Sequence, residues 1–165
     1  MLLYTKLTKR AMHIAYDYFK ERVDKGGLPY IYHLVDVASE FQEESHVCVA
    51  LLHDLLEDTE YNPDALEVEF GDTITNAIKA LTRKAGTTYK DYIEQVCTNE
   101  IACRVKLADL ESNKNKARIL APGEPYDPAV IEYESLLGRY DKAIERVREA
   151  LHNLYLSRME EQNND

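Results

Sequence analysis

The chain has 165 residues, 45% of them hydrophobic, and a net charge of −10; this length fits one domain with a substantial core. The acidic balance argues against non-specific nucleic-acid binding. No run of about 18 apolar residues is present to form a membrane helix, and charge follows Met1 too early for a signal peptide.

Hydrophobic spacing predicts an all-α chain. A first amphipathic helix is expected over about 3–22, with Leu7, Ala11, Ile14, Ala15, Tyr18 and Phe19 near its apolar face. Asp24-Lys-Gly-Gly-Leu-Pro29 breaks it. A second helix is expected over about 32–43, and a third from Ser45, as N-cap, to about Glu57. Asn62-Pro63 opens a short helix that ends near Gly71; Asp72 opens the next, through Ile74, Ala77, Ile78 and Leu81. Two more are expected at about 88–97 and 100–113. The stretch from Lys114 to Pro128, with Gly123 and Pro125, reads as a long loop that leaves a lid over a substrate as an option. Asp127-Pro128 then starts a final helix to about Leu156. The expectation is a single domain over 1–156 and a polar tail over 157–165. Three cysteines (Cys48, Cys97, Cys103) without zinc-finger spacing read as thiols of a reducing cytoplasm.

The segment Cys48-Val-Ala-Leu-Leu-His53-Asp54-Leu-Leu-Glu57-Asp58-Thr59 interrupts an apolar run with an imidazole and three carboxylates. Such groups are costly to bury unless paired, hydrogen-bonded or metal-bound. Residues three and four apart share a helix face, which sets Glu57 over His53 and Asp54, and Asp58 over Asp54. Two readings fit: a metal-binding pair beside a second carboxylate pair, or a buried His–Asp hydrogen bond at a helix end that runs into solvent. His33, in Pro29-Tyr-Ile-Tyr-His33, and Asp109, in Val105-Lys-Leu-Ala-Asp109, are each unremarked alone. With His53 and Asp54 they make a mixed set suited to Mn, Fe or Zn.

The motifs LPYIYHLVDVA, ALLHDLLEDT, FGDTITNAIKALTRK and VKLADLESN resemble, in order and spacing, the hydrolase domain of the RelA/SpoT family. That family is a branch of the HD-domain metal-dependent phosphohydrolases. The resemblance runs from roughly Ala15 to Asn113, and the chain's length is similar to that of the stand-alone small alarmone hydrolases. It implies an HD-domain helical bundle of about seven to nine helices. It assigns His33, His53, Asp54 and Asp109 as ligands of Mn²⁺, with other divalent transition metals also suited. It assigns Glu57 and Asp58 to positioning or deprotonating the attacking water, without deciding which is the base. The implied substrate is guanosine tetra- or pentaphosphate, (p)ppGpp, which loses its 3′-pyrophosphate to give GDP or GTP. The chain is too short for a synthetase domain as well.

Candidate substrate-binding residues are Lys25, Tyr30, Arg83, Lys84, Lys106 and Asn113. Tyr30 reads equally as packing beneath His33, and Arg83-Lys84 as a solvated helix end. A basic cluster of Lys114, Lys116 and Arg118 suits phosphate steering or plain solvation. The chain departs from the family where Asp24 replaces an Arg that helps hold the guanine base. Lys25 follows it, and Arg22 can substitute if the loop shifts. The family's KLADRLHN becomes Lys106-Leu-Ala-Asp109-Leu110-Glu111-Ser112-Asn113, and His33 is followed by Leu34 instead of Pro. These changes spare the metal set and leave nucleotide selectivity open. The alternatives are an HD phosphohydrolase of another nucleotide or phosphate ester, such as NADPH or nucleoside phosphates, or a catalytically weak nucleotide-binding domain. A small-molecule nucleotide partner and a cytoplasmic location are expected; the sequence leaves oligomeric state open.

Overall fold

Residues 47–52 are the most apolar stretch of the chain and are completely buried in a computed structural model that describes residues 2–115 and 128–163. They form most of α3 (Glu44–Leu52), apolar on every side, as suits a helix at the centre of a core. Around it pack α1 (Lys6–Phe19), α2 (Ile31–Ser39), α5 (Pro63–Leu81) and α7 (Glu100–Asn113). A single turn, α4 (Leu55–Asp58), precedes α5; α6 (Tyr89–Val96) and the long α8 (Pro128–Asn163) close the α7 side. The all-α expectation holds, with eight helices among the described residues. None of them is long and apolar enough to cross a membrane.

Local chemistry sets most boundaries. Thr5 and Thr8 form a reciprocal capping box that starts α1. Asn62, Thr88 and Asn99 each accept a backbone N–H and so cap α5, α6 and α7. Gly71 (φ 74°, ψ 173°) breaks α5 internally, where the sequence predicts one helix ending and another opening; that backbone conformation favours glycine. Of the apolar face predicted for α1, Ala11, Ile14, Ala15 and Phe19 are buried, whereas Tyr18 is exposed.

Three expectations are corrected. Ser45 is not an N-cap: α3 begins at Glu44, after an extended Glu43 that makes no side-chain cap. The helix predicted through to Glu57 stops at Leu52 and restarts at Leu55. The His53 ring N–H donates to the Ala50 carbonyl (2.8 Å), the acceptor that Asp54 N–H would use in a continuous helix, and Asp54 takes φ −100°, ψ 1°. Finally, α8 runs through the predicted tail to Asn163. Arg158 is tied there to Glu100 at the start of α7 (Nη1–Oε1 3.1 Å), and Met, Glu and Gln are good helix formers.

Candidate metal centre and substrate cleft

Three stretches of backbone converge on one buried cluster. His33 comes from α2, His53 and Asp54 from the α3–α4 break, and Asp109 from α7. His33, His53 and Asp109 are buried, and each offers a ligand atom within 4.8 Å of the others'. His33 Nε2 lies 3.1 Å from Asp109 Oδ1. His53 Nε2 lies 3.2 Å from Asp54 Oδ2 and 3.7 Å from Asp109 Oδ1. Because His53 Nδ1 is committed to the Ala50 carbonyl, Nε2 is the ring atom left to act as a ligand, and that buried atom has no hydrogen-bond partner.

A buried imidazole lone pair facing two carboxylates is unfavourable alone and resolved by a cation. Burial would lower the His53 pKa, but Asp54 and Asp109 outweigh it and hold the ring well above its ordinary value. Burial would raise Asp54, but His53 draws it down to about 2. Asp109 is likewise desolvated, and Lys106 with both histidines holds it well below the usual carboxylate range. The two carboxylates thus favour a positive charge at His53 Nε2, a proton on the free ring or a metal ion in its place, and this set of imidazole and ionised carboxylate donors fits a divalent metal.

Partners fix these ligands. Tyr30 OH donates to Asp54 Oδ2. Lys106 Nζ donates to Asp109 Oδ2 (2.7 Å) and Asn113 Nδ2 to Asp109 Oδ1 (2.6 Å). His33 Nδ1 meets Ser112 Oγ at 3.3 Å, and Ser112 Oγ donates to Asp36 Oδ2 at 2.8 Å.

The second carboxylate pair sits at the rim. Glu57 Oε2 accepts the Arg83 backbone N–H (2.8 Å), and Asp58 Oδ2 pairs with Arg22 Nη1 (2.7 Å). Partial burial pushes both carboxyls up, with Asp54 adding to each shift.

Next to this rim opens a cleft of about 260 Å³ whose lining includes Arg22, Lys25, Tyr30, Asn113, Tyr133 and Tyr140. The loop before α2 explains Arg22. The Asp24 carboxylate accepts the N–H groups of Gly26 (2.9 Å) and Leu28 (3.0 Å), and Tyr30 N–H donates to the Arg22 carbonyl (2.9 Å). Asp24 therefore builds the turn, while the Arg22 guanidinium lies 5.0 Å from the centre of the Tyr30 ring.

Of the six candidate substrate groups, Lys25, Tyr30 and Asn113 line the cleft. Lys25 also pairs with Glu132 (2.6 Å). Lys106 is turned inward onto Asp109. The Arg83 guanidinium bonds the Thr87 carbonyl (3.0 Å from Nε), and Lys84 is exposed. Lys114 pairs with Asp141; Lys116, Arg118 and most of the loop considered as a lid lie outside the described residues. Sequence reasoning missed Asp36, Ser112, Tyr133 and Tyr140. The first two stand three residues beyond His33 and Asp109, a same-face spacing that was there to be read.

The solved structure of a metazoan orthologue of SpoT, a protein that hydrolyses ppGpp and plays a role in starvation responses, matches with a TM-score of 0.71. The match covers 96% of this chain and 98% of that one, at 18% identity. The chain shares the fold of that protein. Sequence similarity points the same way. A guanosine-3′,5′-bis(diphosphate) 3′-pyrophosphohydrolase of Aquifex aeolicus is 31% identical over 86 residues, half of this chain. A probable GTP pyrophosphokinase of Mycobacterium leprae is 29% identical over 129 residues, 70% of this chain. The chain spans only 12% and 16% of the lengths of those two proteins. No family model matches it. Within this shared fold, His33, His53, Asp54 and Asp109 come together and the cleft opens next to them.

Proposed function

We propose that the chain is a Mn²⁺-dependent hydrolase that removes the 3′-pyrophosphate of (p)ppGpp to give GDP or GTP. The observation that carries this reading is the bare, buried Nε2 of His53 between Asp54 and Asp109, with His33 within reach. His33, His53, Asp54 and Asp109 would hold the ion. When bound, a divalent ion supplies Lewis acidity toward phosphate and a more acidic water. Glu57 and Asp58, at the rim and each raised above its ordinary value, orient the attacking water and take its proton. Arg22 offers its guanidinium plane to the guanine base at the Tyr30 side of the cleft. Lys25 and Asn113 line the cleft that would take the nucleotide, and Asn113 also holds Asp109.

The similar proteins named above support the choice of substrate. The acidic chain makes the local cations Arg22 and Lys25 the groups that draw an anionic nucleotide in. Free Cys48, Cys97 and Cys103 suit a cytoplasmic site of action. The test is a panel of ppGpp, NADPH and nucleoside triphosphates incubated with purified protein and Mn²⁺. Phosphate-ester cleavage confined to ppGpp is expected; cleavage confined to another compound would reassign the substrate and keep the chemistry.

A further inference from the structure

The carbonyls that end a helix have no partner inside it, and at the end of α5 each of them is taken by another group. Thr82 Oγ1 donates to the Ile78 carbonyl (2.9 Å), and Thr82 N–H donates to that of Lys79 (3.3 Å). From α6, the Tyr92 hydroxyl donates to the Leu81 carbonyl (2.7 Å). The Gln95 side-chain amide donates to the Ala80 (2.9 Å) and Thr82 (3.1 Å) carbonyls and lies 3.4 Å from that of Lys79. Tyr92 and Gln95, three residues apart and so on one face of α6, thus hold the exit of α5.

That exit decides where one N–H goes. In a further turn of helix, Arg83 N–H would bond the Lys79 carbonyl. Instead Thr82 is extended (φ −84°, ψ 113°), and Arg83 N–H donates to Glu57 Oε2 at 2.8 Å. The Arg83 side chain folds onto the Thr87 carbonyl (3.0 Å from Nε), and Thr87 N–H donates to the Lys84 carbonyl (3.1 Å), which closes the turn behind it. Glu57 Oε1 has no hydrogen-bond partner among the described residues. A fixed donor on one oxygen orients the carboxylate and leaves the other open to water.

We infer that Gln95 and Tyr92 are positioning residues for the reaction: by holding the end of α5 they keep the Arg83 N–H on Glu57, and so keep that carboxylate in the orientation the attacking water needs. The inference rests on the role given to Glu57 in the proposed function. Neither residue lines the cleft, so both act through this one N–H.

The test uses two variants of the full chain. Gln95→Met keeps the side chain's length and loses its donor. Tyr92→Phe loses the hydroxyl and keeps the ring that lies 5.3 Å from Lys106 Nζ, so the support of Asp109 is spared. Each is expected to lower kcat for ppGpp about 10- to 100-fold, the scale of a small misplacement of a reacting group, with KM and Mn²⁺ affinity unchanged. In a Glu57→Ala background neither change should lower kcat further, because groups that act through one another are not additive. Hydrogen exchange followed by NMR should find the Arg83 amide protected in the wild type and fast in Gln95→Met. Wild-type kcat in both variants, the same loss on top of Glu57→Ala, or an Arg83 amide that exchanges equally in both proteins would overturn the inference. A wild type that turns over no phosphate ester would overturn the function reading instead, and the Arg83 amide would still show whether α6 holds the contact to Glu57.

Discussion

The buried centre and the cleft beside it are built on opposite principles. At the centre, every candidate ligand is held by a second group: His33 by Ser112, His53 by Ala50, Asp54 by Tyr30, Asp109 by Lys106 and Asn113. In the cleft, Arg22 and Lys25 are about half exposed, and each is paired to a carboxylate, Asp58 or Glu132. A group in low dielectric cannot be left unpaired, so the centre is fixed before anything binds. The cleft's cations are solvated and can exchange a carboxylate for a phosphate at little cost. On the proposed reading, the chemistry is thus rigidly placed and selectivity falls to the more exposed rim.

The largest effect separating the two regions should come from the centre. Asp54→Ala or His53→Ala is expected to cut ppGpp turnover by about a thousandfold or more, since several kcal/mol of charge stabilisation is lost. Calorimetry should show weakened Mn²⁺ binding in the same variants. Next come the water-positioning carboxylates. Glu57→Gln and Asp58→Asn should each lower kcat about 10²- to 10⁴-fold with Mn²⁺ affinity retained, and the larger loss identifies the base.

The rim should respond in KM. Arg22→Ala is expected to raise KM for ppGpp about tenfold, the equivalent of 1–2 kcal/mol of stacking. Arg22→Lys should not rescue it, because an ammonium has no plane to stack. A kcat loss with unchanged KM would place Arg22 in Asp58's service instead.

A gentler probe is pH. Burial raises Glu57 and Asp58 above the ordinary values of 4.5 and 3.8. A base works only when ionised, so kcat/KM should fall as pH drops through a value above the ordinary one of whichever carboxylate is the base. An acid limb at or below the ordinary value of the residue identified as the base, 4.5 for Glu57 or 3.8 for Asp58, would contradict the upward shift. The smallest effect lies far from both regions: Arg158→Ala breaks an exposed pair with Glu100 and should cost under about 1 kcal/mol in denaturant unfolding, with turnover unchanged.

The contrast also marks what the sequence could disclose. His33, His53 and Asp109 were legible because motif order names them and burial then forces their meeting. The break at Gly71 was legible because its backbone has a positive φ. The break at His53 was not, because a side chain captures a main-chain acceptor there, which periodicity cannot register. Nor was the cleft. Asp24 reads as a lost arginine until the loop shows it capping its own turn and Arg22 standing over Tyr30. Lys106 reads as a phosphate ligand until α7 turns it onto Asp109. The helical tail rests on Arg158 meeting Glu100, a pairing 58 residues apart in sequence that no local rule anticipates.

The most direct test of the account is pyrophosphate release from ppGpp by the purified protein with Mn²⁺, beside an EDTA blank and the Asp54→Ala variant. The account predicts turnover that vanishes in both controls. Turnover that survives EDTA and Asp54→Ala, or metal-replete protein that leaves ppGpp intact, would contradict it.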